Sequence, residues 1–137
     1  MKTKQVLDLE DARQLTAIAE TEARRNGWNV SIAICDDGGN LMFLQRMDNA
    51  PPMSAQIAPE KARACVMARK PSKMLEDMVN NGRFAALDLP VMMIEGGEMV
   101  VVDGEIVGAI GVSGVKASQD AIVARAAVLA IGASVEL

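Results

Sequence analysis

Histidine and tyrosine are absent from this 137-residue chain. Without histidine there is no side chain that titrates near neutrality in its ordinary state, and no imidazole for a metal. Without either residue, two of the usual haem-iron ligands are gone. Aromatic residues are scarce, with only Trp28, Phe43 and Phe84, so no stacking platform for single-stranded nucleic acid is laid out. An excess of basic charge is also missing. The formal net charge is −4, which argues against a nucleic-acid surface, since binding the phosphate backbone needs clustered Lys and Arg. No apolar run approaches the ~18 residues of a membrane span. The first 26 positions carry Asp8, Glu10, Asp11, Glu20 and Glu22, the wrong composition for a secretory segment. Cys35 and Cys65 lack metal-ligand spacing and are too few for a disulfide framework. They read as reduced thiols of a cytoplasmic protein.

What is present is apolar material, 50% of the residues, enough for the core of a single domain spanning residues 1–137. Asp8, with Asp11 three positions on, predicts a helix start. Leu9, Ala12, Thr16, Ala19 and Ala23 then form one buried stripe, and Gly27 ends the helix. Val30–Asp36 alternates as a strand does, Asp37-Gly38-Gly39-Asn40 predicts a tight turn, and Leu41–Met47 predicts the returning strand. A helix is expected from about Pro59, a residue suited to a first helical position. A short helix follows from Ser72 to Met78. Val91–Ile94, Met99–Val102 and Glu105–Val112 read as extended, with Asp103-Gly104 as a second hairpin turn. The last helix, about Ser118 to Ser134, is apolar almost all round. It therefore needs burial on more than one side, and a second subunit is one such surface. Antiparallel hairpins flanked by helices give an α+β layered domain.

A set of motifs in a fixed order then identifies a resemblance. These are Asp36-Asp37-Gly38-Gly39-Asn40-Leu41, Arg46-Met47-Asp48, Lys61-Ala62, Gly96-Gly97, and Asp103 through Gly114 followed by Gln119-Asp120. Together they resemble the GlcG/HbpS family of haem-degrading-type domains across nearly the whole chain. The resemblance implies a profilin-like arrangement of α/β/α layers around a five-stranded antiparallel sheet, assembled into a homo-oligomer from dimer to octamer. It implies a small-molecule ligand, with haem or a corrinoid as the class, since members include a haem-binding sensor partner and a domain attached to a cobalamin adenosyltransferase. Others sit in catabolic operons without an assigned activity. The chain departs from the pattern in having Met99 where proline is frequent, and in having no histidine to hold haem.

The residues that could meet a ligand are Arg46, Asp48, Lys61, Gly96, Gly97, Ser113 and Gly114. Arg46 and Asp48, two apart on a strand, share a face. They read either as a surface ion pair or as a site where the planar Arg46 fork grips a carboxylate. Lys61 and Cys65 share a helix face. Cys65 is either a thiolate favoured by that lysine or an inert buried thiol. Lys61 is the stronger partner for an anion. Gly96-Gly97 and Ser113-Gly114 read as tight backbone turns, or as strand ends whose N–H groups meet an anion. Asp120 is expected to stabilise the start of the last helix. The ten methionines read as core filler, with thioether ligation of iron the alternative. A second functional class also stays open. It is a small catabolic enzyme, a hydrolase, hydratase or isomerase, in which Arg46 and Lys61 bind a carboxylate. In that reading an acid such as Asp36, Asp37, Glu95 or Glu98 moves protons.

Overall fold

The computed structural model describes residues 1–137. Helix α1 (Leu9–Arg25) starts on a reciprocal cap: Asp11 N–H donates to the Asp8 carboxylate, and Asp8 N–H donates to the Asp11 carboxylate. Gly27, at φ +72, releases the chain from it. Strands β1 (Ser31–Asp36) and β2 (Leu41–Arg46) form the expected hairpin. The Asp36 carboxylate ties its turn by accepting from the N–H groups of Gly38 and Asn40.

Helix α2 (Ser54–Ala68) begins five residues before Pro59, the expected start. Pro51 and Pro52 fix the approach, and Ser54 N–H donates to Pro51 O at 2.9 Å to open the first turn. Pro59 therefore lies in the second turn, where it leaves the Ala55 carbonyl without its helical donor. Arg69 ends α2 in the left-handed conformation at φ +57, two residues before Pro71. Helix α3 (Ser72–Asn80) and a short 3-10 turn (Phe84–Asp88) follow, then β3 (Gly97–Val102), β4 (Glu105–Ser113) and α4 (Ala117–Ala130).

The sheet has four strands in the order β2-β1-β4-β3, all antiparallel. The five-stranded sheet implied by the resemblance is thus corrected to four. Val91–Ile94 is irregular because Met93 turns into a small core with Ala64, Leu75 and Ala86. The edge of β3 that it would have joined is taken by other groups. The Ser72 hydroxyl accepts from Gly97 N–H at 2.8 Å, and Ser134 exchanges two backbone bonds with Val101.

Alternation along the strands sorts the core into layers. Ile32, Ile34, Val100, Ile110 and Val112 face α1 and α4, while Cys35, Met99, Val101 and Ala109 face α2. This is an α+β domain of α/β/α layers. The second burying surface of α4 is α1 of the same chain, with Val123, Ala124, Ala127 and Val128 fully enclosed. Of its large apolar side chains only Ile122 and Leu129 stay exposed.

Candidate functional site

One end of the sheet gathers the start of β1, the end of β2, the end of β4 and the start of β3. In register, Ser31 lies between Arg46 on β2 and Ser113 on β4. The three residues therefore form one row on one face. That face is the one under α2, because the Ser31 and Ser54 hydroxyls are hydrogen-bonded at 2.7 Å. The row opens on a cavity of about 110 Å³ lined by Pro51, Met53, Ser54, Ser113, Gly114 and Val115. A larger cleft of about 420 Å³ beside Met99 and Val135 holds none of the candidate ligand-binding residues.

Arg46 is exposed and has no ion-pair or hydrogen-bond partner in the chain. Asp48 lies beyond the end of β2 in a turn, so the expectation that both sit on the strand fails. No ion pair joins the two, because the turn through Asn49, at φ +67, carries Asp48 off the strand line. Arg46 is left as an unpaired cation at the end of the row.

Lys61 sits elsewhere in this end of the fold, between α2, β4 and α4. It is 2% exposed. Its ammonium donates to Val112 O and to Asp120 Oδ2, each at 3.0 Å. Asp120 in turn accepts from Val115 N–H through Oδ1 at 3.2 Å. Burial pushes the Asp120 carboxyl above its ordinary range, against the pull of the Lys61 charge and these hydrogen bonds. Gly96 and Gly97 pack on Lys61. A Cβ on Gly96 would stand 2.6 Å from Lys61 Nζ, and one on Gly97 would stand 2.4 Å from Lys61 O. Lys61, Gly96 and Gly97 are brought together, therefore, but two of the three lysine donors are already committed inside the protein.

The remaining chemical candidates have internal partners, apart from Glu95, whose carboxylate has none and whose N–H donates to Glu76. Burial pushes the Cys35 thiol up to about 12 and the Cys65 thiol higher still. Cys65 Sγ is 3.4 Å from Lys61 O. Both are inert thiols in the ground state, and neither is disulfide-bonded. Among the carboxylates weighed for proton transfer, Asp36 is held in its turn, and Asp37 pairs with Lys4 at 3.0 Å. Both lie at the opposite end of the sheet from Arg46. Glu98 is buried on β3 and pairs with Arg125 of α4 at 3.1 Å. Burial raises the Glu98 carboxyl, with Arg125 opposing.

Two residues at this end of the sheet were not anticipated, Ser31 in the row and Ser54 on α2. A buried serine has no sequence signal of its own. Only the β1–β4 register, with Ser31 opposite Ser113, would have placed a second hydroxyl there.

With this geometry in view, comparison with known proteins gives one answer. The family model described as haem degrading protein HbpS-like matches residues 7–129. Protein GlcG of Escherichia coli (strain K12) is 49% identical over 114 residues, covering 82% of this chain and 85% of GlcG. The crystal structure of a PduOC:haem complex superimposes with a TM-score of 0.87 at 29% identity, covering 97% of this chain and 100% of that one. A double-mutant form of HbpS from Streptomyces reticuli gives a TM-score of 0.87 at 28% identity, covering 96% of this chain and 91% of that one. A family model spanning most of the chain, a relative at nearly half identity and the shared fold agree. This chain belongs to the HbpS-like family.

Proposed function

We infer that this protein binds an anionic small molecule at the end of the sheet where Ser31, Ser113 and Arg46 lie in one row, with Gly114 and the α2 start as the rest of the wall. The observation that carries the reading is the unpaired Arg46 in one cross-strand row with Ser113, which lines a cavity without acidic residues. A guanidinium in that position pairs naturally with a carboxylate or phosphate. Haem, or a corrinoid, is the ligand class carried over from relatives, among them a PduOC:haem complex and a corrinoid adenosyltransferase. The assembly that goes with it is a cytoplasmic homo-oligomer. Leu41 and Leu44 on the β2 edge, with Met53 and Met67 on the outer face of α2, give it an exposed apolar surface to build on.

Haem as an iron-ligated, enclosed group does not fit the residues present. The cavity, about 110 Å³, is well below the roughly 300 Å³ at which small-molecule pockets begin. Its only soft donor is the Met53 thioether, since both thiols are buried with raised pKa and the Lys61 ammonium is tied to Asp120. What does fit is the carboxylate periphery of such a ligand, met by Arg46 and Ser113. The enzyme alternative gains no support. Asp36 and Asp37 stand at the far end of the sheet, and Glu98 is held by Arg125.

A titration with haemin, followed at the Soret band and repeated with Arg46→Ala, tests the reading. A saturable change near equimolar haemin is expected. Arg46→Ala should weaken it about tenfold or more, the size of a lost charge-assisted hydrogen bond. Saturation that Arg46→Ala leaves unchanged would overturn it, and a linear, non-saturating response would remove haem as the ligand.

A further inference from the structure

The cavity at the end of the sheet has a second property that the Arg46 argument does not use. Ser113 is 6% exposed, lines the cavity, and has no hydrogen-bond partner in the chain. No buried side-chain polar atom of the chain lacks a partner, so the Ser113 hydroxyl, though its residue is largely enclosed, keeps its access through the cavity. Its neighbour in register, Ser31, is fully buried and bonds only to Ser54, which also lines the cavity. A hydroxyl has one proton and two acceptor sites. When Ser31 donates to Ser54, the Ser54 proton is left for the cavity. Two O–H donors, Ser113 and Ser54, then belong to the lining of one small space.

The electrostatics favour an anion there. No acidic residue lines the cavity. The carboxylate tied to its wall, Asp120 through Val115 N–H, is neutralised by Lys61. Ser54 is the first residue of α2, a helix of 15 residues, so the positive end of that dipole is at the wall. The first-turn N–H groups are themselves occupied, by Pro51 O, Pro52 O and Met53 O. The two hydroxyls, together with the Gly114 N–H, which has no partner in the chain, are therefore the donors left for a ligand.

The geometry points to a carboxylate subsite in which Ser113 and Ser54 each donate to one oxygen of a ligand carboxylate, backed by the charge of Arg46 across Ser31. The volume, about 110 Å³, is a few water molecules' worth at ~30 Å³ each, the size of a short-chain carboxylate or of one carboxylate arm of a larger ligand. This deepens the proposed function and rests on it for the place of binding, but not for the identity of the whole ligand.

The test uses sodium acetate as probe, acetamide as its neutral counterpart, and ¹H–¹⁵N spectra of the intact protein. Acetate should shift the Ser54, Ser113 and Gly114 amide signals saturably, and acetamide should not. Ser113→Ala should weaken acetate binding about tenfold or more. Ser54→Ala serves as a second variant, and the wild-type titration stands whether or not either variant folds. Acetate leaving those signals unmoved, or acetamide binding equally well, overturns the subsite.

Two further arms identify the source of the carboxylate. Displacement of acetate by haemin but not by haemin dimethyl ester assigns the subsite to a propionate arm. Acetate binding that haemin does not disturb assigns it to a free small carboxylate. Haemin binding that depends on Arg46, with acetate leaving the Ser54, Ser113 and Gly114 signals unmoved, overturns the subsite while sparing the proposed function. Saturable acetate binding without haemin binding supports the subsite and removes the porphyrin ligand.

Discussion

Lys61 Nζ stands 3.0 Å from Asp120 Oδ2, with both side chains almost wholly buried, joining α2 to α4 across the end of β4. Each partner also holds a backbone group, Val112 O for the lysine and Val115 N–H for the aspartate. Removing one partner strands the other charge without water, which typically costs about 3–5 kcal/mol. Lys61→Met should therefore lose stability on that order in urea denaturation. Lys61→Met combined with Asp120→Leu should recover much of the loss, since an apolar pair leaves no stranded charge. A Lys61→Met variant as stable as the parent would show that the pair is dispensable.

Gly111 is the position least able to accept a side chain. It lies directly opposite Gly97 in the β3–β4 ladder, and α2 rests on both. A Cβ on Gly111 would fall 2.0 Å from Ala58 O and 2.6 Å from Ala62 N. Gly111→Ala must lift the helix from the sheet, and a loss of about 4 kcal/mol or more is expected, in the range reserved for severe packing conflicts. Gly27→Ala is the contrast. Nothing lies within 4 Å of its Cβ position, so only the cost of φ +72 remains, roughly 1 kcal/mol. Thermal melts of the two variants separate packing conflict from backbone strain.

Glu98 fixes the sign of one pH effect. Burial raises its carboxyl above the ordinary value in the folded state, with Arg125 pulling the other way. A folded pKa above the unfolded one means that the folded protein binds the extra proton. The resulting stability is fully present below the unfolded pKa and is lost as pH rises through the folded one. Stability attributable to Glu98 should thus decline as pH rises from about 4.5 through the raised value. Asp120, also raised by burial, adds in the same direction. Glu98→Gln should flatten this part of the profile in urea midpoints taken across that range. An unchanged slope would remove Glu98 as the cause.

Local chemistry made most of the fold legible from sequence. The Asp8–Asp11 cap, the Asp37–Asn40 turn and the alternation of β1 each depend on residues a few positions apart, and each is present in the structure. What failed depended on distant partners. Val91–Ile94 has strand composition, yet Ser72 and Ser134 occupy the edge it needed. Pro59 looked like a helix start because the turn built on Pro51 carried no recognised signal. At the proposed site, motif and residue type single out Arg46, Ser113 and Gly114 as candidates. Lys61 also stood out, but its partner Asp120 lies 59 positions away, and that pairing turns an apparent anion contact into a buried brace. Ser31 and Ser54 stayed silent because a buried serine looks like any other until the register places it.

The central claim is that ligand meets the protein at the row formed by Arg46, Ser31 and Ser113. Paramagnetic haemin broadens nearby amide signals, so ¹H–¹⁵N spectra recorded during a haemin titration locate the contact directly. Broadening centred on Arg46, Ser54, Ser113 and Gly114 is the predicted result. Broadening centred on the other end of the sheet, at Asp36–Asn40 and Asp103–Gly104, would contradict the account.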